Sequence, residues 1–492
     1  MSELVLEENY CPIGWSYAKL TDVCLKITDG AHKTPKYIDD GIRFISIANI
    51  RPFKFVSDNY IRYISKKEHD EISKSVDPKI DDILLTKIGT LGYAKLVDWN
   101  WNFNIFVGLA LLRPDKRILF PKFLEAIINS PQIIKKVIDG ANGTGRKTLP
   151  LMNLRPIMIP IPPLCEQKKI VEKIEELFSL LHFSEKNLKN IKILLKQYRQ
   201  SILKSAFNGI LVPQVSKDID VNGNQSENIS SDTTELKGIN LKKNTLPKGW
   251  KLLTLPNIVK QEEYAIKRGP FGGSLKKEIF KKEGYLVYEQ FHAINDDFSM
   301  ARYFIDEEKY HEMKKFKVEP GDMIISCSGV TLGRIAQIPE NAKSGIINQA
   351  LLKISLNPQI IDSTYFKLLF RSDMVQKTIF KISRGTGMPN FPSVKEIKSI
   401  LFPIPPLKEQ KRIVEKIEDS FSLIDKTENL VDSLLSQNYF LKHSILNQAF
   451  VGKLITQDSS DEPSEIMLQK LKYEKEELSQ KRKSSKRKKN VK

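Results

Sequence analysis

PIPPLCEQKKIVEKIEELFSLL, residues 160–181, returns as PIPPLKEQKRIVEKIEDSFSLI, residues 403–424, with seventeen of twenty-two positions identical at an offset of 243. At the same offset SILKSAFNGIL, residues 201–211, matches SILNQAFVGKL, residues 444–454. Two matches in one register make the chain an internal repeat. Each copy opens on a proline-rich stop and continues with apolar residues spaced alternately four and three apart, the pattern of a long helix with one apolar seam. The first seam reads Ile170, Ile174, Leu177, Leu181, Ser184, Leu188, Ile191, Leu195, Tyr198, Ile202 and Ser205. The second reads Ile413, Ile417, Ser420, Ile424, Thr427, Val431, Leu434, Asn438, Leu441, Ile445 and Gln448, with the same period and more polar residues. Polar seam residues lower stability and fix register, which predicts that the two helices pair with each other. The alternative is that each packs only on its own domain. A helix from 164 to about 208 spans on the order of 65 Å at ~1.5 Å per residue.

Fainter echoes lie upstream of each helix. Pro12-Ile13-Gly14-Trp15 answers Pro247-Lys248-Gly249-Trp250, Gly143-Thr144-Gly145 answers Gly385-Thr386-Gly387, and DILLTKIGTLG from Asp82 resembles DMIISCSGVTLG from Asp322. Short strands are expected at 42–47, 83–86, 94–97 and 105–112, with helices at 120–129 and 132–139. The second domain repeats the order with strands at 286–288, 323–326, 335–338 and 347–354 and helices near Tyr365 and Met374. The fold class is α+β: two mixed α/β domains at opposite ends of an antiparallel pair of long coiled-coil helices, related by a pseudo-two-fold axis. In chain order the parts are a first domain (1–160), a first helix (161–212), a polar linker (213–245), a second domain (246–402), a second helix (403–455) and a charged extension with a basic tail (456–492). The helical segments are nearly the same while the domains differ, so one part does one job twice and the other does two jobs. Two heads related by a two-fold axis suit duplex DNA contacted at two separated, unlike half-sites.

Composition sets the outer bounds. At 492 residues the chain is long enough for two cores. Its hydrophobic fraction of 41% and charged fraction of 28% are those of a globular protein, and no apolar run approaches the ~20 residues of a membrane span. The acidic opening MSELVLEENY is unlike a secretion signal, so a cytoplasmic protein without membrane attachment is expected. Cys11, Cys24, Cys165 and Cys327 are far apart, which argues against a disulfide framework or a zinc module. The net charge of +19 favours a polyanionic partner. Eight of those charges sit in the last twelve residues, KRKSSKRKKNVK, which hold no acid. The remaining +11 still favours nucleic acid.

Catalytic signatures are weak. The Pro-Pro pairs at Pro162-Pro163 and Pro405-Pro406 lack the residues with which an amino-methyltransferase grips its target base, and no glycine-rich loop follows a strand in dinucleotide-binding fashion. The stretch Gly140 to Thr148 approximates a phosphate-binding loop, but Arg146 intervenes between the last glycine and Lys147, and the second copy reads Gly385-Thr386-Gly387-Met388-Pro389-Asn390 with no lysine. A stand-alone NTPase built on this loop and a coiled-coil scaffold that ignores DNA are the competing readings. Glycine turns presenting a variable tip fit better.

These motifs, doubled P-x-P-P-L-x-E-Q-x-x-I-V-x-K-I-E, S-I-L-x-x-A-F-x-G and G-T-G, resemble those of the specificity subunits of type I restriction-modification systems, and the resemblance covers nearly the whole chain. It implies a non-catalytic subunit whose two target recognition domains each read half of a bipartite, asymmetric site in double-stranded DNA. It further implies that the helices act as a spacer and dock two adenine-methyltransferase subunits, through which motor-nuclease restriction subunits join. S-adenosylmethionine, ATP and magnesium would serve those partners, with no cofactor or metal in this chain.

Base-edge reading uses Arg or Lys on guanine and Asn or Gln on adenine. The DNA-binding candidates are Lys33, Lys36, Lys87, Arg146 and Lys147 in the first domain, and Arg268, Lys276, Lys277, Arg334, Arg384 and Asn390 in the second. Each is also readable as a solvated surface charge. Pro163, Leu164, Glu166 and Gln167, with Pro406, Leu407, Glu409 and Gln410, are the candidate shared docking surface, with helix capping and local packing as the alternative.

Overall fold

The computed structural model describes residues 11–55, 60–215, 246–271, 273–329, 331–383 and 391–489. The chain forms two compact units, Met1–Leu188 with Asp432–Lys492, and Lys189–Val431. These cut across the linear division. Each unit takes one mixed domain, the opening half of the helix that follows it, and the closing half of the other helix. All of the linker beyond residue 215 lies outside the described residues.

Each mixed domain is layered, and the strand alternation shows why. In the first unit Ile83–Thr86 and Leu109–Pro114 are central strands of a four-stranded antiparallel sheet flanked by Cys24–Asp29 and Ala94–Leu96. Ile83, Leu85, Ala110 and Leu112 face a core shared with the helices Pro121–Ile128 and Pro131–Asp139. Leu84, Leu109 and Leu111 face the opposite core, shared with Ile45, Phe103 and Ile105 of a second sheet. Burial on both faces explains why these strands read as continuous apolar runs. The second unit repeats the plan with Met323–Ser326 and Leu351–Ile354 at the centre, flanked by Ile266–Arg268 and Ile335–Gln337, and with helices Ser363–Arg371 and Asp373–Ile382. Ile325 and Leu352 face the helices, whereas Ile324 and Leu351 face the second sheet.

Two expected strands divide. The run 105–112 is Phe103–Ile105 in one sheet and Leu109–Pro114 in the other, and 347–354 is likewise Gly345–Ile347 and Leu351–Ile354. Tight turns separate the halves, closed by Leu109 N–H donating to Phe106 O at 2.8 Å and Leu351 N–H to Asn348 O at 3.2 Å. An apolar run buried in two successive sheets carries no polar mark at the crossover.

The long helices are Leu164–Phe207 and Leu407–Phe450, 44 residues each. In the first unit Asn438 Nδ2 donates to Leu181 O at 2.9 Å and Lys442 pairs with Glu185 at 3.1 Å, while Ile170 and Ile174 share a core with Leu446, Ala449 and Phe450. In the second, Arg199 pairs with Asp425 and Glu428, and Ile202, Leu203, Ala206 and Phe207 share a core with Ile413, Val414 and Ile417. From Ile170 and Ile174 beside residues 446–450 to Leu181 beside Asn438, and from Arg199 beside Asp425 and Glu428 to residues 202–207 beside 413–417, the partner numbers fall as the others rise, so within each unit the segments run antiparallel. The seam differs from the heptad reading in one respect. Leu181, Leu188, Leu195 and Ile202 are on it, but Glu185, Lys192 and Arg199 take the intervening positions, leaving Ile191 and Tyr198 exposed. Leu434 and Leu441 are displaced in the same way. Long charged side chains cover the seam with their stems and pair across it, which an apolar-only count misses.

The helix starts and ends are fixed by the repeated motifs. Strand Ser16–Lys19 pairs antiparallel with Met158–Ile161, and Lys251–Thr254 with Leu401–Ile404, so each domain's entry is tied to the strand that launches its helix. Gly209 (φ +71°) abuts Pro247 and Gly452 (φ +72°) abuts Pro12 so closely that a Cβ would clash at 2.1 and 2.6 Å. A final helix, Ser464–Lys489, packs on the first unit through Leu471.

Candidate nucleic-acid interface

Strand register brings the loops together. In the first unit Asp29 lies opposite Ala110, Thr86 opposite Leu109 and Ala94 opposite Leu85, so the connections after Asp29, after Thr86 and before Leu109 leave the sheet at one edge. The hairpin closed by Asn142 and Thr148 joins them, with Gly89 N–H donating to Lys147 O and Leu149 N–H to Lys87 O, both at 2.8 Å. This edge gathers Lys33, Lys87, Arg146 and Lys147. Lys33, Arg146 and Lys147 are exposed. Lys36 is exposed as well and sits beside Glu68, whose carboxylate accepts from its backbone N–H at 2.9 Å.

Lys87 is a correction to the sequence reading. Its residue is 4% exposed and its ammonium pairs with Asp29 at 2.9 Å, so it is an internal tie between two loops and not a free DNA contact. A lysine stem can lie in the interior when its charge finds a carboxylate. The Gly140 to Thr148 stretch also departs from a phosphate-binding loop. It follows a helix and folds as a hairpin around Gly143 (φ +105°), whereas the phosphate loop needs a strand before it and a helix after.

The second unit uses the same edge with different side chains. Cys327 occupies the place of Lys87: its N–H donates to Ala350 O as that of Lys87 does to Gly108 O, and its carbonyl accepts from Phe391 N as that of Lys87 does from Leu149 N. Arg268 takes the place of Asp29 and donates to Cys327 O at 3.3 Å. Burial pushes the Cys327 thiol up to about 12, so it is neutral. Gln290, which the sequence reading passed over, donates to Ser326 Oγ, Ser328 O and Ser328 Oγ at 2.9 to 3.0 Å. Arg334, Lys276 and Lys277 are exposed and Arg268 is half-buried. Arg384 and Asn390, with the second glycine loop, lie outside the described residues.

The second sheets differ in build. The trio of Phe103–Ile105, Ile42–Ile45 and Arg62–Ile64 corresponds to Gly345–Ile347, Tyr285–Tyr288 and Phe304–Ile305, each with one parallel pair. The fourth strand adds beyond Arg62–Ile64 in the first unit, as Tyr37–Ile38, but beyond Gly345–Ile347 in the second, as Lys317–Val318. Aromatic pairs line both but are built differently: the first unit stacks Trp99 on Trp101 (5.0 Å, 14°) with the Arg43 guanidinium 4.6 Å over Trp101, and the second stacks Tyr285 on Tyr310 (3.8 Å, 7°).

The docking candidates divide. Glu166, Gln167, Glu409 and Gln410 are 0–3% exposed, which removes them from a docking surface. Gln167 Oε1 accepts from Phe120 N–H at 2.8 Å, and its Nε2 donates to Ile118 O at 2.7 Å and Pro162 O at 2.9 Å. Gln410 repeats the set with Asp362 N–H, Ile360 O and Pro405 O at 2.7, 3.0 and 2.8 Å. Trp250 Nε1 donates to Glu409 at 3.0 Å. Burial pushes the Glu166 carboxyl above the usual range, partly offset by its neighbours Trp15 and Gln457. These pairs fasten helix to domain, the local-packing alternative. Pro163 is buried too, while Leu164, Pro406 and Leu407 are half-buried. The helices instead turn other apolar side chains outward: Leu180 and Phe183 with Tyr439 and Phe440 in the first unit, and Leu194 with Leu423 and Leu430 in the second, all 58–68% exposed.

Among the described residues no helix is long and apolar enough to cross a membrane, and no group of three or more His, Cys, Asp or Glu is placed to hold a metal ion.

Residues 12–193 and 271–435 match the family pattern described as Type I restriction modification DNA specificity domain. The chain is 24% identical over 480 residues to the Type I restriction enzyme EcoKI specificity subunit of Escherichia coli (strain K12), with 92% of each chain covered. It is 33% identical over 177 residues to the EcoBI specificity subunit of Escherichia coli, a stretch that spans 36% of this chain and 37% of that one. Among solved structures it is similar to the HsdS subunit from Thermoanaerobacter tengcongensis, with a TM-score of 0.53, 17% identity, and coverage of 91% of this chain and 99% of that one. A chain solved in work on complex assembly and conformational transition of the type I R-M system gives a TM-score of 0.57 at 18% identity, covering 90% and 99%. At these identities the structural likeness is one of fold.

Proposed function

The chain belongs to the type I restriction modification DNA specificity family, and from that premise we propose that it reads an asymmetric, two-part site in double-stranded DNA, one part with each mixed domain. The observation that carries this reading is the pair of loop edges: one backbone scaffold, closed by Lys87 in one unit and Cys327 in the other, presents Arg146 and Lys147 in the first and Arg268, Gln290 and Arg334 in the second. A shared frame with unlike donors and acceptors suits two half-sites of unlike sequence.

In this reading the long helices form an antiparallel coiled coil with the domains at its opposite ends. They set the distance between half-sites and seat two adenine-methyltransferase subunits, through which motor-nuclease subunits join. The exposed apolar side chains Phe183 and Phe440, and Leu194 and Leu423, support that seat, because several large apolar side chains left in water on one helix pair favour a partner that covers them. The chain itself is non-catalytic and binds no cofactor. S-adenosylmethionine, ATP and magnesium belong to the partners, and the complex works in the cytoplasm.

Exchanging residues 1–160 for those of another family member and mapping methylated bases in cells tests the division of labour. One half of the site is expected to change while the other stays. Methylation with both halves unchanged, or both altered, defeats the reading.

A further inference from the structure

We propose that the C-terminal helix, Ser464–Lys489, is a DNA-binding arm that holds the phosphate backbone outside the bases read by the first domain. This rests on the DNA-reading function proposed above and adds a contact that the domains do not make.

The helix has two parts of opposite character. Its first half is docked: Leu471 is 2% exposed within the core of the first unit, Ser464 N–H donates to Gly14 O at 3.0 Å, Glu474 pairs with Arg117 at 2.7 Å, and Lys475 Nζ donates to Asp22 O at 2.7 Å. Charges there are balanced, with four acids and three lysines between residues 464 and 477. From Lys481 onward the sequence holds eight Lys or Arg and no acid, and the helix runs on to Lys489 with seven of them, while Lys492 lies outside the described residues. A terminal run of like charge repels itself and is ordinarily left as a solvated tail. Here it is carried on a helix whose root is fixed to a domain.

The position of the root suits a flanking contact. Thr21 and Asp22, which receive Lys475, lie in the short helix Leu20–Val23 that leads into strand Cys24–Asp29, and the far end of that strand is the loop edge. The two ends are separated by on the order of 17 Å at ~3.3 Å per strand residue. The stretch from Glu477 to Lys489 adds about 18 Å at ~1.5 Å per residue. Both lengths are within one ~34 Å turn of duplex, so an arm rooted at the far end of this strand is long enough to meet backbone that flanks the site. Lysine and arginine without aromatic or amide companions supply charge and little base readout, which fits phosphate contact.

The test uses the full chain, a chain ending at Gln480, and a chain with all eight basic residues from Lys481 on changed to Gln. Binding is measured across a salt series to a random-sequence DNA duplex of roughly 40 base pairs, long enough to span several turns, with single-stranded RNA and poly-aspartate as controls. Both altered chains are expected to bind duplex on the order of tenfold more weakly near 0.1 M salt, and to flatten the salt slope by ~0.9 for each phosphate that the arm no longer neutralises. The methylated sequence in cells is expected to stay the same. An unchanged slope in the Gln variant overturns the arm, as does a change in the methylated bases, or tail-dependent binding that is stronger for RNA or poly-aspartate than for duplex. A parent chain that binds no duplex overturns the DNA-reading function itself, so the two failures are distinct.

Discussion

The two units place the same backbone bonds around Lys87 and around Cys327, yet one loop edge is locked by a buried ion pair and the other by an arginine on a carbonyl beside a neutral thiol. Their second sheets share three strands and add the fourth at opposite edges. By contrast, the Gln167 and Gln410 clamps use the same three kinds of partner at nearly the same distances. Of these features the loop edge and the outer sheet vary, and the glutamine fastening of helix to domain stays the same. That separation suits the proposed reading of two half-sites with one geometry.

The largest expected effect tests the sameness. Gln167→Ala leaves one backbone N–H and two carbonyls without partners in the interior, at a cost on the order of 3 kcal/mol, and Gln410→Ala should cost the same within about 1 kcal/mol. Urea denaturation of each variant measures this, and a gap well beyond that margin means the clamps are not equivalent. The difference at the loop edge comes next. Lys87→Met strands the Asp29 carboxylate and should cost about 2 kcal/mol, whereas Cys327→Ala removes a small neutral group and should cost about 1 kcal/mol. Equal losses in the same assay break the contrast.

Arg146→Ala with Lys147→Ala leaves stability within about 0.5 kcal/mol, because both side chains are exposed, and weakens DNA binding roughly tenfold. Half-site-resolved methylation should report the change only in the half assigned to the first domain.

The smallest effect is a difference in acid response. Burial pushes the Asp322 carboxyl above the usual range, so the folded chain takes up that proton more readily than the unfolded one. Between the ordinary aspartate value and the raised one, its contribution to stability grows as pH falls. Hydrogen bonds from Arg117 hold Asp115 of the first unit below the usual range, so its contribution is present at neutral pH and is lost as pH falls through that lowered value. Asp322→Asn should therefore abolish a gain of under about 1 kcal/mol as pH falls from neutral to the ordinary aspartate value in urea denaturation, and Asp115→Asn should leave that gain intact.

The sequence by itself determined the repeat, the extent of both long helices, the places of the central strands and the presence of two unlike domains. These follow from local periodicity and from identity at a fixed offset, and need no distant partner. Identity between copies shows that Glu166-Gln167 and Glu409-Gln410 do one job twice, but not whether that job faces inward or outward. The answer depends on Phe120 and Ile118, or Asp362 and Ile360, which come near only when the domain folds back on its helix. Tertiary structure alone decided that Lys87 is spent on Asp29, that Glu185 and Arg199 sit on the seam while Ile191 and Tyr198 face water, and that the apolar run at 105–112 serves two sheets. The physical reason is the same each time: a side chain's charge or apolarity states what environment it tolerates, and only the fold supplies the partner.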